Sequence, residues 1–393
     1  MRGKLYAMDF NNTEIAFASK SNADLTRSYW LFKIIGWNWL IKVSPTLLQV
    51  FMPLWFPIPL IKATIFKQFC GGESIADCTQ KINELSALNV KTILDYSVEG
   101  KEEEVVFDEN LAEALAAIKK ADGNPNIPFS VFKPTGFGRF KLLEKVNTNT
   151  TLSEKEAAEF NRFVKRIDTI CAAGHQANIP IFIDAEESWI QNTIDDIALD
   201  MMRAYNKEKV IVYNTAQMYR WDRMVYLEGL KKLATKENFY IGIKLVRGAY
   251  IEKERTRAEK MGYKDPMQKT KAATDKDYNQ ALQFCIENIN QIAFCCASHN
   301  EKSNLLLVEL MQQHNISLTD KRIYFAQLLG MSDHISNNLA KAGYHVAKYV
   351  PYGPVKEVTP YLIRRAEENT SVAGQTGREL ALISKEKKRR KSL

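Results

Sequence analysis

Seven polar residues stand near the C-terminal ends of short apolar runs: Asp95, Lys133, Asp184, Gln217, Lys244, His299 and Tyr349. Any one of them could cap a loop. Seven on seven of eight runs predict a polar-lined mouth. The fifth run, FYIGIKLVRGAY, is the most informative. Lys244, Val246 and Gly248 alternate with Leu245 and Arg247, so they share one strand face. A lysine inside a strand is costly unless its ammonium finds a partner. Gly248 would let a flat ligand approach the backbone. A second constellation follows the Gly353-Pro354 turn. Tyr361, Arg364, Arg365 and Glu368 occupy positions i, i+3, i+4 and i+7, one face of a helix. One reading is a solvated face with an Arg364–Glu368 pair, worth only about 0.2–0.5 kcal/mol. The other is a clamp in which paired guanidinium groups fork onto a carboxylate, which lysines cannot copy.

These residues need elements to position them. From residue 91 onward, runs rich in Val, Ile, Tyr and Phe recur at 91–99, 128–136, 180–188, 210–219, 239–250, 292–300, 322–330 and 345–353. Charged, Ala- and Leu-containing segments with helical spacing separate them, including 110–121, 153–173, 190–206 and 271–290. The connections are long enough for crossover helices, and the runs are too apolar for one-sided antiparallel strands. Eight alternating units predict a distorted (β/α)8 TIM-type barrel with an N-terminal helical extension, with catalytic groups at the C-terminal strand ends. An open doubly wound sheet is the competing architecture. It would want a Gly-rich fingerprint after its first strand, where Leu94-Asp95-Tyr96-Ser97 has no glycine. The expected organisation is a partly apolar helical extension at 1–90, a barrel at 91–370 and a basic tail at 371–393.

The 393 residues are 46% hydrophobic and 25% charged, which excludes wholesale disorder and collagen-like repeats. Six cysteines without a C-x-x-C read as reduced, mostly buried thiols. Five histidines without H-x-x-x-H or H-E-x-x-H spacing argue against a metal site. Lys385 to Lys391, KEKKRRK, carries net +5 of the chain's formal +8. The remainder is close to neutral, and no nucleic-acid-binding motif is present. The tail reads as a solvated, disordered end, or as a weak attractor of anionic lipid. Residues 28–69 are the most apolar stretch. Pro45, Pro53, Pro57 and Pro59 would break a spanning helix, so short helices packed on a core are expected over an interfacial membrane element or a true span.

The segments FIDAEES, NTAQMY, KLVRGAY, TKAATDKDY, ASHN, FAQLLGM and YVPYG followed by YLIRRAEEN, in this order, resemble the proline dehydrogenase family from about residue 91 to 370. The resemblance implies a distorted (β/α)8 barrel holding FAD non-covalently. It implies oxidation of L-proline to Δ1-pyrroline-5-carboxylate, the first step of proline catabolism to glutamate, by hydride transfer from proline C5 to flavin N5. Electrons would pass to a membrane quinone. Lys244 then falls beside N5, where one bacterial branch has arginine. Val246 and Gly248 match backbone along the flavin, and Gln217 matches the glutamine on its pyrimidine ring. Thr270, Lys271 and Ala273, with Ser298, His299 and Asn300, match segments around the ribityl, phosphates and adenine. Lys133, Arg364 and Arg365 match the cations that hold the substrate carboxylate. Tyr250, Leu328, Tyr349 and Tyr361 match the walls around the pyrrolidine ring. Asp184, Asp95 and Glu368 match orienting carboxylates. Ile251 departs from the tryptophan of the bacterial branch.

The residues by themselves leave two other functions open. Lys244 could serve a barrel lyase or aldolase as a Schiff-base nucleophile. Residues 28–69 and the tail could form a non-catalytic membrane-surface module. The expected location is cytoplasmic and peripheral to the inner face of a bacterial membrane, or mitochondrial in a eukaryote. Residues 1–27, with Asp9 and Glu14, do not read as a transit peptide.

Overall fold

A computed structural model describes residues 8–35, 58–98, 102–371 and 375–392. Its eight strands are β1 (Val90–Tyr96), β2 (Phe129–Phe132), β3 (Ile181–Ile183), β4 (Val212–Gln217), β5 (Ile241–Val246), β6 (Ile292–Ala297), β7 (Ile323–Leu328) and β8 (Val346–Tyr352). They close into a barrel in chain order. The described pairings are parallel, such as Val90 opposite Val346 and Thr215 opposite Lys244. Seven strands fall inside their apolar runs, and β1 begins one residue before the run at 91–99. The runs extend past the strand ends because the chain leaves the ladder there to form the loops that carry the polar residues.

The helices are α1 (Thr13–Ala16), α2 (Asn22–Ile35), α3 (Cys78–Ser86), α4 (Glu104–Ala121), α5 (Phe140–Asn147), α6 (Glu154–Ala177), α7 (Ser188–Tyr205), α8 (Arg223–Glu237), α9 (Ile251–Met261), α10 (Lys271–Glu287), α11 (Glu301–Gln313), α12 (Asp333–Ala342), α13 (Val355–Ser371) and α14 (Gln375–Lys391). Local chemistry sets several ends. Ser153 and Glu156 form a reciprocal capping box on α6, and Asn178 closes it at φ +57°. Short helical pieces run from Ile58 to Phe69, with a π-type turn at Lys62–Phe66. Among the described residues no helix is long and apolar enough to cross a membrane. Most of the proline-rich apolar stretch, residues 36–57, lies outside the described residues.

Contacts divide the chain into two units, residues 100–326 and residues 1–99 with 327–393. In the first unit Phe129 stacks on Phe182 at 4.3 Å, and Tyr213 and Tyr324 meet Phe129 edge-on. These rings come from β2, β3, β4 and β7. In the second unit, β1 pairs with β8 along their whole lengths. A buried cluster joins Phe17, Leu25, Phe32, Phe66 and Phe69 to Val358, Leu362, Leu382 and Ile383, so α2, α13 and α14 share one core.

The basic end is a correction to the sequence reading. It is helical rather than disordered. Glu379 and Glu386 are buried on the same face as Leu382 and Ile383. Glu386 accepts from Arg389 and Arg390, and Arg390 donates to the carbonyls of Phe17 and Lys20. These carbonyls lie in the turn that follows α1. Lys385 donates to the carbonyl of Asn11 and Arg378 to its side chain. Much of the tail's charge is therefore spent inside the fold. Deleting residues 385–393 removes several charge-assisted bonds, and the expected loss of unfolding free energy is at least about 2 kcal/mol. Urea denaturation of the truncated and full-length chains measures it, and equal midpoints would reject the role of α14.

Candidate functional site

In residues 100–326 the polar strand ends are built around one buried cation. Lys244 is 4% exposed, and its Nζ donates to Asp184 Oδ1. Asp184 directly follows β3, and its amide donates to Phe132 O at 3.0 Å, extending the β2–β3 ladder by one bond. The Lys244 ammonium also lies 5.3 Å from the centre of the Phe182 ring. The strand thus meets the cost of a buried ammonium with an anion and an aromatic face.

Glu186 links three of these strand ends. Its carboxylate accepts the Thr135 amide at 2.8 Å and the Thr135 hydroxyl at 2.5 Å. Its own amide donates to Gln191 Oε1, and its carbonyl accepts Gln217 Nε2 at 2.6 Å. Gln191 is held in turn by Asp195, which also binds Asn214 and Arg223. Lys133 is half-buried and precedes the short turn Pro134–Gly136 that Thr135 belongs to. Burial raises the Glu186 carboxyl to about 7, with the Thr135 bonds pulling the other way.

After β5 the chain turns through Gly248 at φ +123°. The ring found against Gly248 is that of Tyr219, 2.6 Å from where a Cβ would stand. Both the backbone angle and this approach require glycine. Val246 ends β5, and Tyr250 is the residue before α9. That helix is tied to the β3 end, since Ser188 donates its amide and hydroxyl to buried Glu254 and Lys253 pairs with Glu187.

Arg247, the residue after β5, holds a third group of residues. It pairs with Asp275 at 2.7 Å, donates to Ser298 Oγ and Ser303 Oγ, and lies 4.3 Å from the Tyr278 ring centre. Thr270 caps α10 by accepting the Ala273 amide, and Lys271 pairs with Asp275. Asn300 caps α11 by accepting the Ser303 amide, and its own amide donates to Ser298 Oγ. His299 lies between them, half-buried. Two helix N-termini, each with its dipole's positive end, are thus cross-linked by one guanidinium.

In the other unit, Tyr349 is buried on β8, and its carbonyl accepts the Leu329 amide at 2.8 Å. Asp95 on β1 is buried and accepts from Ser97 Oγ. On α13, the Arg365 guanidinium lies 5.0 Å from the Tyr361 ring centre, and both residues are buried. Arg364 is half-buried, so the α13 face is not the fully solvated one. Leu328 packs on the cluster that contains Tyr361. The side chain of Glu368 lies outside the described residues. The sequence reading passed over Lys348, which is 1% exposed. Its Nζ donates to the carbonyls of Leu328 and Met331 and pairs with Asp333 at 3.0 Å. Asp333 also pairs with Lys20, and the two ammonium groups hold its carboxyl well below the usual range against the effect of burial. The signal was present, because Lys348 is a lysine within an apolar strand just as Lys244 is. The roles of Arg247, Glu186 and Gln191 carry no comparable local signal.

The chain matches the proline dehydrogenase family over residues 78–378. It is 36% identical to proline dehydrogenase 1, mitochondrial, of Dictyostelium discoideum, covering 96% of this chain and 74% of that one. It is 32% identical to the carbapenem antibiotics biosynthesis protein CarD of Pectobacterium carotovorum subsp. carotovorum, covering 82% and 83%. The crystal structure of proline utilization A from Bdellovibrio bacteriovorus superposes with a TM-score of 0.71 at 19% identity. That match covers 93% of this chain and 36% of the longer protein, and it bears on the fold alone. On the extent of these matches, the chain belongs to the proline dehydrogenase family.

Proposed function

We propose that this protein is an FAD-dependent proline dehydrogenase that oxidises L-proline to Δ1-pyrroline-5-carboxylate and passes the electrons to a membrane quinone. The observation that carries the reading is the buried Lys244–Asp184 pair at the strand ends of a chain of this family. The residues suit the cofactor. A fixed positive charge at Lys244 favours a flavin that gains negative charge on reduction. The capped N-termini of α10 and α11, bridged by Arg247, suit a diphosphate. Gln217, pinned through its amide to Glu186, offers a carbonyl of fixed orientation. When bound, FAD supplies the acceptor for the hydride leaving C5 of proline.

The chain's own residues do the remaining work. Arg364, Arg365 and Lys133 supply charge for the substrate carboxylate, and Tyr250, Leu328, Tyr349 and Tyr361 supply apolar walls. Asp184 fixes the Lys244 ammonium, and Asp95 and Glu368 orient neighbouring groups. The proton from the substrate nitrogen passes to water in this reading. An ammonium held by a carboxylate has no lone pair to offer, which disfavours the Schiff-base alternative for Lys244. The quinone places the working enzyme at a membrane surface, peripherally bound. The deciding experiment is the visible spectrum of the purified protein before and after anaerobic addition of L-proline. A flavin band that bleaches supports the reading, and a colourless protein, or a band indifferent to proline, rejects it.

Arg365→Met should remove part of the forked contact, a loss of about 1.5–3 kcal/mol for a charge-assisted bond. The apparent KM for proline should rise about tenfold or more with flavin still bound. Unchanged steady-state kinetics would reject the clamp. Tyr349 addresses substrate choice. A hydroxyl at C4 of proline would meet the phenol, and overpacking a tight site costs about 1–3 kcal/mol. The enzyme should prefer L-proline to trans-4-hydroxy-L-proline by about tenfold or more in kcat/KM. Tyr349→Ser should narrow that ratio, and a ratio left untouched would remove Tyr349 from the site.

A further inference from the structure

We propose that Glu186 is a positioning residue: its carboxylate holds the loop after β2, and with it Lys133, in the pose that receives the carboxylate of the substrate. The inference rests on the reading of Lys133 as a carboxylate-binding cation and goes beyond it by assigning a residue that touches neither substrate nor cofactor. The last ladder contact between β2 and β3 is the Asp184 amide on Phe132 O. Beyond it the two chains diverge into loops. Among the described bonds, what ties them again is the Glu186 carboxylate, which takes both donors of Thr135. Thr135 is two residues from Lys133, within a three-residue turn closed by the Gly136 amide on Lys133 O at 3.0 Å. The other polar groups of Glu186 are engaged as well, through Gln191 and Gln217. The carboxylate is therefore anchored on a rigid support, and displacing it would move the Lys133 turn rather than Glu186 itself.

The arrangement is strongest with an ionised carboxylate. Its two oxygens accept an N–H and an O–H of Thr135 as charge-assisted bonds. On protonation the hydroxyl must turn to accept instead, both bonds become weaker neutral ones, and the attraction to Lys133 is lost. Burial lifts Glu186 to about 7, the Thr135 bonds and Lys133 lower it, and Glu187 raises it. Glu187 is paired with Lys253. Binding of proline should therefore weaken as pH falls through neutrality. Lys133 meets the substrate carboxylate before and during reaction alike, so the effect falls on KM more than on kcat.

The test compares wild-type holoenzyme with Glu186→Gln and Thr135→Val. Glu186→Gln should raise KM for proline about fivefold or more, with kcat within about twofold. The substrate amine titrates identically for both enzymes, so the ratio of their kcat/KM values isolates Glu186. That ratio should change with pH and break near 7. In Thr135→Val the lost hydroxyl leaves Glu186 higher still, and the acid limb should move to higher pH. A second readout needs no turnover. A carboxyl whose folded value is raised from 4.5 to about 7 holds its proton more tightly when folded. It therefore costs stability as pH rises through that window. The Tm of the wild type should fall relative to Glu186→Gln over the same range. A kcat/KM ratio that is flat with pH, or a Tm difference that is flat in an enzyme that oxidises proline, overturns the inference alone. If L-proline fails to reduce the wild-type holoenzyme, the parent reading falls and the role of Lys133 falls with it.

Discussion

An ammonium group placed on a β-strand inside a protein must find an anion, and this requirement shapes the strand ends of both units. Burying an unpaired charge costs several kcal/mol, whereas a paired and hydrogen-bonded one persists. Lys244 meets the condition with Asp184, which obliges β3 to end where its next residue can reach across. Lys348 meets it with Asp333 and the carbonyls of Leu328 and Met331. That second pair fixes the turn after β7 and therefore the position of Leu328. In each unit, a residue argued to serve the flavin or to wall the substrate is positioned by the solution to a burial problem.

The same logic explains why the loops are cross-linked by charge rather than by apolar contact. Loops that leave a parallel ladder carry backbone donors with no strand partner, and carboxylates accept them. Glu186 takes the Thr135 amide, Glu254 takes the Ser188 amide, and Glu379 takes the Ser332 amide. Ser332 is held in the left-handed region at φ +53°, an unfavourable conformation for a non-glycine residue. It persists where a buried carboxylate and the following helix determine it. Arg247 performs the complementary task with donors, joining the β6 end to α10 and α11.

The barrel was legible because its strands are buried on both faces, so the runs are too apolar to read as one-sided surface strands. Lys244 was legible for the converse reason, as a charge inside such a run. Arg247 stands one residue beyond the end of β5, and its partners lie 28, 51 and 56 residues away, so no local pattern points to them. Glu186 sits among three acids in FIDAEES, and the sequence offers no means of choosing it over Glu187. The tail misled because its buried stripe is partly acidic. Glu379, Leu382, Ile383 and Glu386 follow helical spacing, yet two of the four are carboxylates that a hydrophobic pattern does not count.

That misreading has a physical consequence for how charge is assigned to function. The formal +8 and the net +5 of the last segment suggest a surface attracted to anions. Much of that charge is engaged at short range: Arg389 and Arg390 with Glu386, Arg390 with the carbonyls after α1, Lys385 and Arg378 with Asn11. A base that donates to a buried carboxylate or a helix-end carbonyl has surrendered part of its field and its freedom to reorient toward a lipid headgroup. Lys385, Lys388 and Lys391 are the exposed members of the run, and Lys385 is already engaged with Asn11. Attraction to a membrane at about 1 kcal/mol per basic residue would therefore draw on fewer charges than the run contains. A basic segment has to be counted after folding, when the bases that hold the structure together have been set apart from those that face the solvent.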